Sequence, residues 1–195
     1  MKRMILALMI ASLLTGSASG GVLFPGYIET GGYGTATARI SQLGNGEDGV
    51  FLGAGGGFIF NRELMIGADV AFLASDLPYE TLAGEDRNIE YALATLTFTY
   101  VFWPDVMIHP GLSLGGGMGW LRLRNPNRQP DENDPSADTL FHGQPAAHVY
   151  LNLTRNTRLS ISGGYRWVTG VDTEDFIDQD AEGAFGEIAF SFGAF

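Results

Sequence analysis

The chain has 195 residues, of which 22 are acidic, 11 are basic and none is cysteine. Without Lys2 and Arg3, which belong to a predicted export signal, nine arginines face 22 acidic residues, a net charge of −13 (9 − 22). An acidic mature chain without lysine lacks the basic surface that nucleic-acid binding requires, so we expect no nucleic-acid partner. The absence of cysteine excludes disulfides, thiol chemistry and lipid attachment at a signal-proximal cysteine. No cofactor and no metal centre is predicted.

The first twenty residues have the pattern of an export signal. Lys2 and Arg3 precede the apolar run Met4–Leu14, and the small residues that follow suit a cleavage site. The apolar run is too short to cross a bilayer as a helix, which needs about 20 residues. Cleavage after Ala18 and cleavage after Gly20 fit equally well. We therefore predict a cleaved signal peptide over residues 1–20 and a single domain over residues 21–195.

Eight strand-like runs follow in the mature chain. Each alternates apolar side chains with small or polar ones at a period of two, which is typical of a strand with two different faces. The third run is the clearest, with Leu64, Ile66 and Val70 on one face and Gly67 and Asp69 on the other. The runs are Tyr27–Ser41, Val50–Phe60, Leu64–Ser75, Tyr91–Phe102, Val106–Arg124, His148–Thr154, Arg158–Trp167 and Glu187–Phe192.

The connections between these runs alternate in length. Three are tight turns: Asn61–Glu63, Trp103–Asp105 and Thr154–Thr157. The other four carry 16 of the 22 acidic residues, with Arg87 and Arg128 as their only basic ones. A membrane barrel has this asymmetry, because short turns face the periplasm and longer loops face outside. The predicted long loops are Gln42–Gly49, Asp76–Asn88, Asn125–Leu140 and Thr169–Gly183.

Aromatic residues cluster near both ends of the runs, where the headgroup regions of a bilayer would lie. In hydrocarbon every backbone polar group needs a protein partner, so eight membrane strands must close on themselves. The sequence therefore predicts an all-β protein, an eight-stranded antiparallel up-and-down transmembrane β-barrel. In the fifth run the alternation would turn Arg122 and Arg124 toward lipid. We expect either that both lie above the bilayer or that a bulge resets the register.

This pattern resembles the small outer-membrane barrels, namely the transmembrane domain of OmpA, OmpX and the OmpW-like proteins. The resemblance covers the whole mature chain. It implies an outer-membrane location, the outer-membrane lipid bilayer as surroundings, and periplasmic termini. It also implies that the barrel insertion machinery reads the C-terminal strand, here through Ile188, Phe190, Phe192 and Phe195.

The inward faces carry charged residues that form a predicted ionic network in the lumen. Arg39, Arg166 and Glu187 fall on strands that become neighbours when the barrel closes, so they are expected to form an Arg–Glu–Arg cluster. One interpretation is a structural plug, since buried charges need partners. The other is a gate or ligand site that opens when the pairing rearranges. The complete set is Glu29, Arg39, Asp69, Arg158, Arg166 and Glu187.

Inward glycines and histidines suggest two further hypotheses. The glycines either line a narrow channel or leave room for large side chains such as Tyr33 and Tyr150. A lipid-modifying enzyme would need a serine beside a histidine. His109 and Ser113 share a face, but four residues along a strand separate them by about 13 Å. We therefore predict no enzymatic activity, although Ser162 is expected on the strand beside His148.

The predicted function is a structural or surface-interaction role that uses acidic extracellular loops. Divalent cations are candidate partners of those loops, because carboxylate oxygens are the ligands that such ions prefer. A small-solute or ion channel through a glycine-lined lumen is the alternative. A lipid-modifying outer-membrane enzyme is the third hypothesis.

Overall fold

The computed structural model describes residues 28–43, 47–75, 78–80, 86–124, 137–171 and 177–195. These residues form nine strands and a four-residue helix. In chain order the elements are β1 Thr30–Leu43, β2 Glu47–Phe60, β3 Leu64–Leu73, β4 Pro78–Glu80, β5 Asp86–Val101, β6 Ile108–Arg124, β7 Ala137–Asn152, β8 Thr157–Thr169, α1 Asp178–Ala181 and β9 Gly183–Gly193.

Eight of the strands close into a barrel, as predicted. Each pairs antiparallel with its neighbours in the chain, and β3 pairs directly with β5. The last strand returns to the first, with a register that runs from Tyr33 opposite Gly193 to Ser41 opposite Phe185. Closure gives both outer strands a partner, so no edge of the eight-stranded sheet is left open.

The strands extend further toward the loop end than the sequence analysis predicted. Gln42 and Leu43 belong to β1, and Glu47 pairs with Leu43 across the connection, so the first predicted loop is shorter than expected. The first residues of β5 and β7 are likewise in strands, although the sequence analysis predicted them in loops. Beyond β3, the three-residue strand β4 pairs with the first residues of β5. The pairing between β5 and β6 continues without interruption to Arg124, so no bulge there resets the register of the two arginines.

The tight turns hold the opposite rim together. Asn61 and Arg62 have positive φ angles of 50° and 61°, which is uncommon for residues other than glycine. The Asn61 backbone N–H donates to the carbonyl of Glu29, and the Glu29 N–H donates to the Asn61 side chain. An ion pair between Arg62 and Asp105 joins this turn to the one between β5 and β6.

The outer face of the barrel is a continuous apolar belt. Leu96 is 62% exposed and Phe98 is 55% exposed, although such side chains usually lie inside a protein. In the parts of the chain that the structure describes, no helix is long and apolar enough to cross a bilayer. The belt also includes Leu52, Phe58, Val70, Phe72, Leu112, Leu114, Met118, Trp120, Phe141, Val149, Ile161, Tyr165, Trp167, Ile188, Phe190 and Phe192.

The lumen has three layers. Its middle is polar, as predicted, but both of its ends are apolar, which the sequence analysis did not anticipate. The turn-end cluster consists of Ile59, Met65, Val101 and Tyr150. The loop-end cluster consists of Leu43, Phe51, Ala71, Ile89, Tyr91, Leu93, Leu121, Leu140, Val168 and Ala181. The inside of an eight-stranded barrel is packed by side chains, and these two clusters lie on either side of the polar layer.

If hydrocarbon surrounds the belt, Leu96→Arg should destabilise the barrel by about 2–4 kcal/mol, the cost of a charge at mid-bilayer. Met107→Arg is the matched control, since Met107 is 64% exposed but lies at the turn rim just before β6. There the loss should stay below about 1 kcal/mol. Urea-induced unfolding in phospholipid vesicles measures both values. Equal losses would contradict the membrane position of the belt.

Candidate functional site in the lumen

A buried ion pair lies at the centre of the polar layer. Arg39 on β1 and Glu187 on β9 face each other in register, and Arg39 Nη2 is 2.7 Å from Glu187 Oε2. Arg39 Nη1 donates to Gln144 Oε1 at 3.0 Å, and the guanidinium carbon lies 4.5 Å from the centre of the Phe185 ring. Both charged side chains are nearly inaccessible to solvent. The pair therefore ties β1, β7 and β9 together across the barrel interior.

Asp69 lies on β3, two strands from Arg39, and borders a small polar chamber. The side chains of Thr95 and Thr97 hydrogen-bond to its carboxylate. The chamber has a volume of about 80 Å³. A polar cavity of this size has room for a few ordered water molecules. Its polar lining comes from Tyr33, Thr35, Thr37, Asp69, Thr97, Thr99, His148, Tyr150, Ser160, Glu187 and Ser191.

Arg166 does not contact the Arg39–Glu187 pair; it lies in the loop-end cluster. Its Nε donates to the carbonyl of Ala181 at 3.0 Å, which attaches α1 to the barrel wall. Its guanidinium carbon is 5.6 Å from the ring centre of Phe51 and 5.3 Å from that of Tyr91. The predicted Arg–Glu–Arg cluster is therefore divided between two layers of the lumen.

Arg158 occupies the turn end of the lumen. Its Nε donates to Asn152 Oδ1 at 2.9 Å. Its guanidinium carbon lies 4.2 Å from the ring centre of the C-terminal Phe195 and 5.2 Å from that of Tyr150. Glu29, by contrast, is exposed and precedes β1, so it lies outside the lumen instead of facing into it. The alternation of the first strand does not extend to Glu29, because the backbone there bonds to the turn at Asn61.

Neighbouring side chains occupy the space above several of the inward glycines. A Cβ atom at Gly67 would collide with the hydroxyl of Tyr33, and one at Gly111 would lie 2.6 Å from the Tyr150 ring. These glycines therefore make room for tyrosines that pack in the lumen. This arrangement matches the packing interpretation and offers no support for a glycine-lined channel.

Two histidine contacts were not predicted. Ser113 Oγ lies 2.7 Å from His148 Nε2, and Thr95 Oγ1 lies 3.1 Å from His142 Nε2. His148 has Ser162 opposite in register on β8, as expected, but its hydrogen bond goes to β6. Strand parity already placed Ser113 on the inward face. Only the register between β6 and β7, which the sequence does not specify, brings it beside His148.

The Arg39–Glu187 pair should contribute to stability through its burial. Glu187→Gln removes the carboxylate that pairs with the buried Arg39 guanidinium, so we expect a loss of about 3–5 kcal/mol. Asp105→Asn breaks the ion pair with Arg62, where the side chain of Asp105 is 78% exposed, and should cost less than about 1 kcal/mol. Unfolding in urea measures both. Similar losses would contradict the assignment of Glu187 as the counterion of a buried guanidinium.

Comparison with known proteins supports the fold. No protein-family model matches the chain, and no curated protein is similar to it in sequence. Among solved structures, Neisserial surface protein A (NspA) aligns over 86% of this chain and 98% of its own, with 12% identity and a TM-score of 0.59. The attachment invasion locus protein Ail of Yersinia pestis, in complex with the heparin analogue sucrose octasulfate, aligns over 84% and 97%, with 12% identity and a TM-score of 0.52. The chain therefore has the fold of the small eight-stranded outer-membrane β-barrels.

Proposed function

We propose that the protein is a non-conducting barrel of the outer membrane that presents acidic loops to cationic partners. The observation that carries the proposal is the packing of apolar side chains at both ends of the lumen. In the described part of the chain, the loop-end and turn-end clusters lie on either side of the polar layer, and tyrosines occupy the space above Gly67 and Gly111. A lumen packed in this way favours a surface role over the alternative of a small-solute channel.

The charge distribution supports a cationic partner. The four loop-end connections hold 16 of the 22 acidic residues and only two arginines. Such a surface attracts positive charge and accelerates encounters with basic partners at low ionic strength. The names of the similar structures refer to a surface protein and to attachment and invasion, and Ail was crystallised with a sulfated heparin analogue. The acidic loops of this chain have the same sign of charge as such a sulfated ligand and would repel it, so we propose basic protein surfaces as their partners.

Divalent cations remain a second proposed partner of the loops. Among the described residues, the carboxylates around α1 accept local backbone hydrogen bonds: Asp178 from the N–H of Val171, Asp180 from Ile177 and Glu182 from Val168. Each of these bonds uses one carboxylate oxygen, and among the described residues no three acidic or histidine side chains are placed together to hold a metal ion. Calcium would relieve the repulsion between neighbouring acidic side chains.

We also propose that the barrel insertion machinery reads β9 through its outward face. Ile188, Phe190 and Phe192 project outward from this strand and are about half exposed or more. Phe195, the fourth residue of the predicted signal, packs over Arg158 and beside Tyr33. Phe192 is therefore the last aromatic side chain of the strand that faces lipid.

Binding of polylysine to the barrel in zwitterionic nanodiscs tests the surface role. The triple variant Asp131→Asn, Glu132→Gln, Asp134→Asn removes three charges from one loop and should weaken binding about fivefold at low salt. The control Glu29→Gln, Glu63→Gln, Asp105→Asn removes three charges from the turn rim. It should bind like the wild type. Stronger binding to heparin than to polylysine, or equal losses in both variants, would contradict the proposal.

Conductance in a planar bilayer separates this role from the channel. We expect no steady single-channel current from the refolded wild-type barrel, because apolar side chains close both ends of the lumen. Reproducible openings that disappear in a lumen variant such as Glu187→Gln would favour the channel instead.

A further inference from the structure

The side chain of Arg166 has hydrogen-bonding groups that nothing in the described structure satisfies. The residue is fully buried, and its Nε bonds to the Ala181 carbonyl, but its Nη1 and Nη2 atoms have no partner. Buried polar groups are nearly always paired, and hydrogen bonds to charged groups are among the stronger ones in proteins. The two Nη atoms of Arg166 are therefore the clearest unsatisfied hydrogen-bond donors among the described residues of the lumen.

Two neighbouring side chains share this property. Tyr91, whose ring centre is 5.3 Å from the Arg166 guanidinium carbon, has a buried hydroxyl without a partner. His142 pairs in register with Val168, two residues from Arg166 on β8, and its Nδ1 is also buried and unpaired. Two described carboxylates of the lumen and its loop end bond to other groups: Glu187 to Arg39, and Glu182 to the N–H of Val168. The unpaired groups therefore form one site, and its charge is positive.

The surroundings of these groups limit what would bind there. The Phe51 ring centre lies 5.6 Å from the Arg166 guanidinium carbon. Phe51, Leu93 and Leu140 are fully buried in the loop-end cluster. A guanidinium fork matches the two oxygens of a carboxylate, which accept two parallel hydrogen bonds. Apolar walls favour a ligand whose remaining atoms are hydrocarbon.

We propose that Arg166, Tyr91 and His142 form a binding site for a small carboxylate with a short apolar body. In the closed state Ala181 covers the site, since it is fully buried and its carbonyl holds Arg166. The ligand replaces that carbonyl as the partner of Arg166 and displaces α1 toward solvent. The site lies inside the barrel, so this inference is independent of the proposed binding of cationic partners by the loops.

Butyrate and its neutral isostere butyramide test the site on the full chain refolded in detergent micelles. Amide hydrogen exchange reports on α1, where Asp180 N–H bonds to the Ile177 carbonyl and Glu182 N–H to that of Asp178. Butyrate should accelerate exchange of these two amides in a saturable manner and raise the melting temperature. Butyramide should do neither, because it has no charge to offer to the guanidinium.

Variants assign the effect to these side chains. Arg166→Gln should weaken the apparent affinity for butyrate at least about tenfold, the loss expected for one charge-assisted hydrogen bond. Tyr91→Phe should weaken it by a smaller factor, and it keeps the ring that packs on Phe51. Arg155→Gln, which removes an exposed arginine at the turn rim, should leave the affinity unchanged.

Three results would overturn the proposal. The first is an equal effect of butyrate and butyramide on the wild type, and the second is the absence of any saturable effect of butyrate. The third is an affinity for butyrate that neither Tyr91→Phe nor Arg166→Gln changes. The first two measurements need no variant, so they decide the question even if Arg166→Gln does not fold.

Discussion

The hydrogen bonding of the backbone in a medium without water is the constraint from which the architecture follows. A strand in hydrocarbon has no solvent to satisfy an unpaired N–H or carbonyl group, so a sheet there must have no edge. The pairing of β1 with β9 meets this requirement and fixes eight barrel strands in one ring. Once the ring closes, alternate side chains must point outward or inward. The outward side chains form the exposed apolar belt, and the inward side chains form the layered lumen.

A barrel of eight strands is narrow, so its interior is packed by side chains as a protein core is. Here the packing uses apolar residues at both ends and an ion pair between them. The Arg39 guanidinium bonds to both Glu187 and Gln144. By contrast, Nη1 and Nη2 of Arg166 have no hydrogen-bond partner. This contrast between the two arginines is the basis of the ligand site proposed beside α1.

The sequence predicted much of this architecture because period-two alternation is a direct consequence of strand geometry. Residues such as Leu96 and Phe98 could be placed on the lipid side from their parity alone. Parity could not reveal which inward residues meet across the lumen, because that depends on the register between strands and on α1. Arg166 was therefore expected beside Glu187, whereas it bonds to the Ala181 carbonyl. Glu29 was misplaced for a related reason, since the regular strand begins only at Thr30.

The central claim is that lipid surrounds the apolar face of the barrel and that the other face is shielded inside it. The natural chain has no cysteine, so single cysteines at neighbouring positions of β5 can carry a spin label without background. In bilayers, a label at Leu96→Cys should collide readily with molecular oxygen, which concentrates in hydrocarbon. A label at Thr97→Cys should be shielded from it. Higher oxygen accessibility at position 97 than at position 96 would mean that the faces are reversed, and it would contradict this account.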